Sequence, residues 1–149
     1  MMGGTITDSE MKQGTLVRGF GGFYVVVDEN GTQYTLRCKK KFRRMKLSPL
    51  VGDEVLFTPG SGEEHGWLEE ILPRTSECLR PPVANVSLLL VVICPSPEPD
   101  LLLVDRLLVR ARLQGMKTAI VVNKCDLDPA TDLVRIYEHA GFPVIRASA

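Results

Sequence analysis

One stretch of sequence decides the fold around it: Thr118-Ala119-Ile120-Val121-Val122-Asn123-Lys124-Cys125-Asp126-Leu127. Its first half is apolar and rich in β-branched residues, which is typical of a buried strand. It then breaks into Asn-Lys-x-Asp, and a helix is predicted over 130–140, ending at Gly141. A second apolar strand is predicted at 143–146. Strand, helix and strand in this order form a βαβ unit, so the tetrapeptide lies in the loop after a parallel strand.

An Asn-Lys-x-Asp tetrapeptide in this position predicts a site for guanine. The Asp126 carboxylate can accept two hydrogen bonds from the ring N–H and the exocyclic amino group of guanine, a pair that adenine cannot supply. A base that leaves such a carboxylate unpaired binds with about 10⁴-fold lower affinity. Asn123 is expected to brace the loop through its side-chain amide, and the methylenes of Lys124 to lie against the base. The alternative is an ordinary polar loop after a strand.

Two further observations bear on this site. Ser148 and Ala149 follow the next predicted strand, and in GTPases a Ser-Ala pair there donates a backbone N–H to the guanine O6. No Gly-Lys dipeptide occurs in the 149 residues, so the phosphate loop Gly-x-x-x-x-Gly-Lys-Ser/Thr is missing. The chain is therefore either the relic of a nucleotide site, or a protein whose phosphate-binding half belongs downstream.

Composition indicates a globular protein of the cytosol. The 18 basic and 18 acidic residues balance, no leader is recognisable, and the longest apolar run, 88–94, is too short to span a bilayer. The cysteines have no C-x-x-C spacing and no neighbouring histidines, so we expect reduced thiols rather than zinc ligands or disulfides. They are Cys38, Cys78, Cys94 and Cys125.

The first half of the chain predicts a small β-barrel. Asn30-Gly31 is a strong hairpin signal between two of the five predicted strands. The strands are expected at 15–18, 23–27, 32–38, 54–57 and 67–72. Five short strands favour a closed barrel of the oligonucleotide/oligosaccharide-binding (OB) fold, with an SH3-like barrel second.

A basic stretch between the third and fourth strands predicts RNA binding, because dense cations attract a polyanion through counterion release. Seven of the ten residues in 37–46 are cationic: Arg37, Lys39, Lys40, Lys41, Arg43, Arg44 and Lys46. Phe42 among them is expected to stack on an unpaired base. The alternative is a solvated loop with Phe42 turned into the barrel. Trp67 belongs to the core or to the barrel surface, where it could also stack on RNA.

Four regions are predicted: an N-terminal tail over 1–13, the barrel over 14–73, a linker over 74–84 stiffened by Pro81-Pro82, and an α/β region over 85–149. In the α/β region the run 87–93 is of the kind buried on both faces of a parallel sheet. Apolar residues then repeat at helical spacing. They are Leu103, Val104, Leu107, Leu108 and Ala111.

The layout resembles a known family. The motifs that carry the resemblance are Gly22-Phe23-Tyr24-Val25, Arg80-Pro81-Pro82-Val83-Ala84-Asn85-Val86, Asp105-Arg106-x-Leu108 and Asn123-Lys124-Cys125-Asp126-Leu127. Together, from Gly14 onward, the chain is similar to the ribosome small-subunit-dependent GTPase A family, RsgA, also called YjeQ.

This resemblance implies a circularly permuted GTPase, in which the guanine motifs come first and the phosphate loop and switch regions follow. The chain is then the N-terminal portion, with the β-barrel and part of a P-loop GTPase domain. The implied function is GTP hydrolysis with Mg²⁺, stimulated by the small ribosomal subunit and its rRNA during late subunit maturation. Zn²⁺ is implied only in a C-terminal extension.

For the chain alone we expect no catalytic residue, no hydrolysis of GTP and no tight binding of it. A half-sheet of about three strands is expected to leave apolar surface uncovered. The full-length protein is expected to be a cytoplasmic monomer that binds neither membrane nor DNA. The alternative function is a non-catalytic RNA-binding OB-fold protein, whose incomplete α/β module retains Asn-Lys-x-Asp as an inherited loop.

Overall fold

The computed structural model describes residues 11–149 and divides them after Asn85 into two compact units. Of the predicted N-terminal tail, residues 1–10 lie outside the described part of the chain. The first unit holds the β-rich sequence and the second holds the alternating strands and helices.

The first unit contains a closed five-stranded barrel, as predicted. Its strands follow one another around the barrel in the order β1-β2-β3-β5-β4, and β4 pairs with β1 to close it. All neighbours are antiparallel except β3 and β5. This is the arrangement of an OB-fold, so the first of the two predicted barrel types is confirmed. The strands are β1 (Lys12–Phe20), β2 (Phe23–Asp28), β3 (Gln33–Cys38), β4 (Glu54–Thr58) and β5 (Gly66–Ile71).

The barrel core is built from the inward-facing residues of every strand. A short helix, α1 (Lys40–Arg44), follows β3 and adds one side chain, Phe42, to this core. The burial of alternate strand residues agrees with the period of two that the sequence shows. The buried members are Leu16, Val26, Leu36, Phe42, Val55, Phe57 and Leu68.

The hairpin between β2 and β3 has the predicted turn. Gly31 has a φ of 80°, which a residue without a Cβ adopts at little cost. The Asp28 carboxylate accepts the backbone N–H groups of Asn30 and Thr32, both at 2.9 Å. These local bonds fix the register of the two strands.

Strand β1 contains a β-bulge. Leu16 pairs with Val26 and Arg18 pairs with the preceding residue of β2, Val25, so Val17 has no partner opposite it. An extra residue of this kind changes the direction in which the following side chains point. In this strand it leaves Arg18 and Phe20 exposed.

The segment predicted as a linker folds with the barrel as a hairpin of β6 (Glu77–Leu79) and β7 (Pro82–Ala84). Arg74 donates to both carboxylate oxygens of the fully buried Asp53, with Nε 2.7 Å and Nη2 2.9 Å from them. Gly52, at a φ of 95°, lies so close to Ala84 that a Cβ there would meet its carbonyl oxygen at 2.1 Å. The compact unit therefore extends through the hairpin.

The second unit is a three-stranded parallel sheet in the order β10-β9-β8 with two connecting helices. The predicted alternation of strand and helix is confirmed. The elements are β8 (Leu88–Ile93), α2 (Leu101–Leu113), β9 (Lys117–Val122), α3 (Thr131–His139) and β10 (Val144–Arg146).

Both helices pack on the same face of this sheet. The strand order advances in one direction, and right-handed crossovers then place successive helices on one side. Val91 and Ile93 on β8 and Ile120 and Val122 on β9 form one core cluster with residues of both helices. The helical members of the cluster are Val104, Leu108, Val134 and Tyr137.

The opposite face of the sheet is uncovered within residues 86–149. Leu90 and Val92 on β8 are 51% and 60% exposed, and Leu88 and Ile145 are exposed as well. The prediction that the run 87–93 is buried on both faces is therefore wrong for the described residues. The expectation that a half-sheet leaves apolar surface uncovered describes this face.

The two helices are also joined by a hydrogen bond. The Tyr137 hydroxyl donates to the Asp105 carboxylate at 3.0 Å. Burial and this bond raise the pKa of Tyr137 to about 12. Among the helices of residues 11–149, none is long and apolar enough to cross a membrane.

Candidate nucleotide site and basic surface

The Asn-Lys-x-Asp loop lies at the carboxyl ends of the three parallel strands. The Asn123 N–H donates to the Ile93 carbonyl at the end of β8, at 2.8 Å. Ala147, just beyond β10, donates its N–H to Val122 and accepts one from Cys125, at 2.8 and 3.0 Å. This edge is where parallel α/β sheets bind ligands.

The Asn123 side chain joins the two segments that the sequence singles out. Its Oδ1 accepts the backbone N–H of Lys124 at 2.9 Å and that of Ala149 at 3.0 Å. The amide therefore ties Asn-Lys-x-Asp to Ser148-Ala149 across the ends of β9 and β10. A brace of this kind is what we expected of Asn123.

Lys124 sets the shape of the loop. Its φ of 60° lies in the left-handed region, which a residue with a side chain occupies at a cost of roughly 1–3 kcal/mol. Its carbonyl accepts the N–H groups of Leu127 and Asp128, so the chain turns tightly there. The Lys124 side chain is exposed.

The two carboxylates of the loop differ in what they contact. Asp128 accepts the Ala130 N–H at 2.8 Å and so shapes the entry to α3. Asp126 is exposed and makes no hydrogen bond or ion pair with residues 11–149. The Asp126 carboxylate is therefore free to accept the two donors of a guanine edge.

Only one of the two backbone N–H groups of the Ser148-Ala149 pair is bonded within the described chain. Both residues are exposed, but the Ala149 N–H is donated to Asn123 rather than left for a ligand. The Ser148 N–H has no protein acceptor in the described chain. Of the two amides, that of Ser148 is the one available to a guanine O6 in this conformation.

The residues at this edge fit the base of a guanine nucleotide and not its phosphates. A free carboxylate, a braced loop and a free amide match the edge of the base. The glycine-rich phosphate loop and its lysine do not occur in the 149 residues. In residues 11–149 there is also no group of three or more His, Cys, Asp or Glu side chains placed to hold a metal ion.

The basic stretch forms an exposed cationic surface around α1. Lys39 is half-buried and forms an ion pair with Glu69 of β5, which offsets its charge. The other six cations are exposed; we call them the basic surface. They are Arg37, Lys40, Lys41, Arg43, Arg44 and Lys46.

Phe42 does not belong to the basic surface. Its side chain is only 3% exposed and lies in the barrel core, where it is the one buried residue of α1. The prediction that Phe42 stacks on a base is wrong, because its ring anchors the short helix to the barrel.

Aromatic side chains do lie outside the barrel, at other positions. Phe20 and Trp67 are exposed and Phe23 is half-buried. Phe23 belongs to the Gly22-Phe23-Tyr24-Val25 motif, but nothing in the sequence marks Phe20 or Phe23 as a side chain on the outer surface. The available signal was their position on either side of the Gly21-Gly22 turn, and its meaning depends on the strand register.

The fold and the site are similar to those of one class of protein, the circularly permuted GTPases. The solved structure of YloQ, described as a circularly permuted GTPase, is similar with a TM-score of 0.75 at 30% identity, over 97% of this chain and 54% of that one. The structure of YjeQ from Thermotoga maritima also gives 0.75 at 30%, over 93% of this chain and 52% of that one.

The family models agree and are more specific. Residues 13–68 match the RsgA N-terminal domain and residues 71–149 match the RsgA GTPase. The chain belongs to the RsgA family.

Curated relatives of the chain are named small ribosomal subunit biogenesis GTPase RsgA. The protein of Ruminiclostridium cellulolyticum is 41% identical over 145 residues, which cover 93% of this chain and 47% of that protein. The protein of Geobacillus thermodenitrificans is 39% identical over 145 residues, covering 93% and 49%. The chain spans about half the length of the curated relatives it matches.

Proposed function

We propose that this chain is the RNA-binding barrel and the guanine-recognition half of a small ribosomal subunit biogenesis GTPase. The observation that carries the proposal is the pairing of a braced Asn123 with a free Asp126 at the carboxyl edge of the sheet. The names of the relatives support the same activity. The complete protein binds GTP with Mg²⁺, hydrolyses it on contact with the small subunit and acts in late subunit maturation.

The chemistry divides between this chain and the rest of the protein. Phosphoryl transfer depends on positioning and on neutralising charge at the γ-phosphate, which a phosphate-loop lysine and Mg²⁺ supply. Asn123, Lys124, Asp126 and Ser148 hold and select the base instead. Residues 1–149 alone therefore neither turn over GTP nor bind it tightly. We assign Mg²⁺ to the phosphate-binding part and Zn²⁺ to a C-terminal region.

The basic surface is the part of this chain that we assign to rRNA. Six exposed cations on and beside α1 can each neutralise a phosphate and release counterions. No base-specific donor pattern is needed for such contacts, because phosphates position a protein without reading sequence. The partner is the small ribosomal subunit, in the cytoplasm, and the complete protein acts as a monomer that binds neither DNA nor membrane.

The test is a change of nucleotide preference. Residues 1–149 are joined to the remaining C-terminal half of the Ruminiclostridium cellulolyticum relative, and Asp126→Asn is introduced. An amide in place of the carboxylate can no longer accept both N–H donors of guanine. GTP affinity therefore falls by at least about 100-fold, while xanthosine triphosphate is bound better. Equilibrium binding of both nucleotides and hydrolysis with purified small subunits measure this.

Asp128→Asn is the matched control, since Asp128 lies in the same loop but bonds only within the protein. It keeps the preference for guanine. The 149-residue chain without the added half is the negative control for hydrolysis. Equal losses for both variants, or no shift toward xanthine, would count against the guanine site and favour a non-catalytic RNA-binding barrel.

A further inference from the structure

Four side chains on four adjacent strands form a single row across the outside of the barrel. Phe20 on β1 pairs with Phe23 on β2, and Phe23 pairs with Arg37 on β3. Arg37 in turn pairs with Trp67 on β5. Adjacent strands lie about 4.8 Å apart, so the row is about 15 Å long. We call Phe20, Phe23, Arg37 and Trp67 the aromatic row.

Three planar groups of the row lie close to one another, and every member except the half-buried Phe23 is exposed. The Phe20 and Phe23 rings are 6.1 Å apart between centroids, and the Arg37 guanidinium lies 5.2 Å from the Phe23 centroid. Phe20 is 49% exposed and Trp67 is 43% exposed. His65 meets the Phe23 ring edge-on at 4.9 Å. The Phe20 and Phe23 rings and the Arg37 guanidinium therefore lie side by side, and Trp67 is in register with Arg37 on the next strand.

Two arginines lie against the rings of the row, while the β4–β5 loop carries the exposed Glu63 and Glu64 before His65. Arg18 lies 5.2 Å from the Phe20 centroid, and Arg37 belongs to the row itself. Glu69, two residues along β5 from Trp67, has its charge offset by Lys39. The basic surface continues along the chain from Arg37. An anionic ligand with flat apolar groups matches these surroundings better than an apolar or acidic one.

The position of the row on the barrel also fits a nucleic acid. OB-folds bind oligonucleotides on the face of strands 2 and 3 and with the loops that join strands 1 to 2 and 4 to 5. Phe23 and Arg37 lie on β2 and β3, Phe20 precedes the β1–β2 turn, and His65 belongs to the β4–β5 loop. Exposed aromatic rings with nearby cations bind single strands by stacking the bases and neutralising the phosphates.

We propose that the aromatic row stacks about two or three unpaired bases of RNA, while Arg18 and the members of the basic surface other than Arg37 hold the phosphates between them. The proposal rests on the rRNA-binding function given above and names its mode: single-stranded nucleotides recognised by their flat faces, with little preference among bases. Helical RNA keeps its bases stacked inside and cannot use the row.

Trp67 reports on this binding directly, because it is the only tryptophan of the chain. The 149-residue chain is titrated with single-stranded 12-nucleotide oligoadenylate and oligouridylate, and separately with a blunt RNA duplex of the same length. A base stacked on Trp67 quenches its emission. We expect saturable quenching by both single strands and no comparable change with the duplex.

Phe20→Ala tests the row at a second position. Loss of one stacking ring is expected to weaken binding of the single strands about 10-fold or more, measured by anisotropy of labelled RNA. The dependence of affinity on salt stays unchanged, since no charge is removed. Leu79→Ala, an exposed apolar residue on β6, is the matched control and keeps wild-type affinity.

Arg43→Ala with Arg44→Ala tests the basic surface separately. Removing two phosphate contacts lowers the slope of log affinity against log salt by about 0.7 for each contact with a single strand. This readout separates the two sites, because Phe20→Ala shifts affinity without changing the slope.

The outcomes distinguish the row from the wider function. Three results would each overturn stacking on the aromatic row and leave RNA binding by the basic surface. They are RNA bound with unchanged Trp67 emission, a duplex bound as tightly as single strands, and wild-type affinity in a folded Phe20→Ala variant. No binding of any RNA at low salt overturns both. Should circular dichroism show that Phe20→Ala does not fold, the emission of the unmodified chain decides.

Discussion

At the scale of single residues, the first unit contains a buried carboxylate, Asp53, that depends on its ion pair with Arg74. The Asp53 carboxylate is fully buried, and Arg74 is the only cation paired with it among the described residues. Arg74 also donates to the Ser48 carbonyl at 2.8 Å and to Glu77 at 2.9 Å. These bonds, that to Asp53 first, raise the pKa of Arg74, so the guanidinium stays charged.

Arg74→Met is therefore expected to destabilise the first unit by roughly 3–5 kcal/mol, because it leaves a buried carboxylate without its partner. Urea unfolding followed by Trp67 emission measures the loss. Arg80→Met, an exposed residue between β6 and β7, is the matched control and changes stability little. Similar losses for the two variants would contradict the role given to the pair.

The sequence identifies some of these residues and not others, for a physical reason. Asn123 and Asp126 belong to one local motif, so their meaning is readable without the fold. Asp53 and Arg74 are far apart in the sequence and carry no pattern, so only the folded chain joins them. Phe42 is a residue for which local sequence misled: its basic neighbours indicated a surface position, but its ring lies in the barrel core.

At the scale of elements, α2 and α3 depend on each other as well as on the sheet. The Tyr137–Asp105 hydrogen bond joins them beside the core cluster. The pKa of Tyr137 is about 12, above the ordinary value of about 10, because the buried and bonded form is the neutral one. Its contribution to stability is thus fully present below pH 10 and is lost as the pH rises through about 12.

Tyr137→Phe is expected to cost about 1 kcal/mol at pH 8, through loss of the hydrogen bond. The difference in the free energy of unfolding between the variant and the wild type should shrink as the pH rises above 10. Only the wild type has a tyrosine at this position, and it loses its contribution to stability as it ionises. Urea unfolding by circular dichroism at 222 nm, which reports mainly α2 and α3, measures both effects. Tyr34→Phe, in the barrel, is the control, and a difference that stays constant to pH 11 would contradict this account.

Element types followed from the sequence wherever the periodicity was strong. The five barrel strands and the three strands and two helices of the second unit agree with the pattern of apolar residues. The β6–β7 hairpin was missed because Pro81-Pro82 indicates a stiff linker, yet proline is tolerated as the first residue of a short strand, as at Pro82. Helix α1 was missed because a basic run has no amphipathic period. Register, which aligns the aromatic row, cannot be read from single strands.

At the scale of the whole molecule, the order of the strands leaves one face of the sheet open within residues 86–149. Helices that both cross on the same side cover only that side, and alternate residues of β8 remain in solvent on the other. Family membership could be anticipated from the motifs, and the alternation of strands and helices from the apolar pattern. That one face would be bare followed from the number of strands, but which residues form it required the register.

An open apolar face is expected to make the 149-residue chain associate as its concentration rises. Val92→Lys together with Leu90→Lys places charge on that face and reduces association, measured by sedimentation velocity over a range of concentrations. Leu102→Lys, which adds a charge at an equally exposed position on α2, is the control and leaves association unchanged. A chain that sediments as a monomer at every concentration would contradict the expectation.

The bulge in β1 has a consequence for how this barrel can change in evolution. Because Val17 stands as an additional residue, the strand reverses parity, and Arg18 and Phe20 meet solvent where strict alternation would turn them toward the core. Deleting that one residue would leave every other residue of β1 in the sequence. The side chains after it that now point outward would then point toward the core, and the reverse. An insertion or deletion within β1 therefore changes which of its side chains form the outer surface, whereas a substitution changes one side chain only.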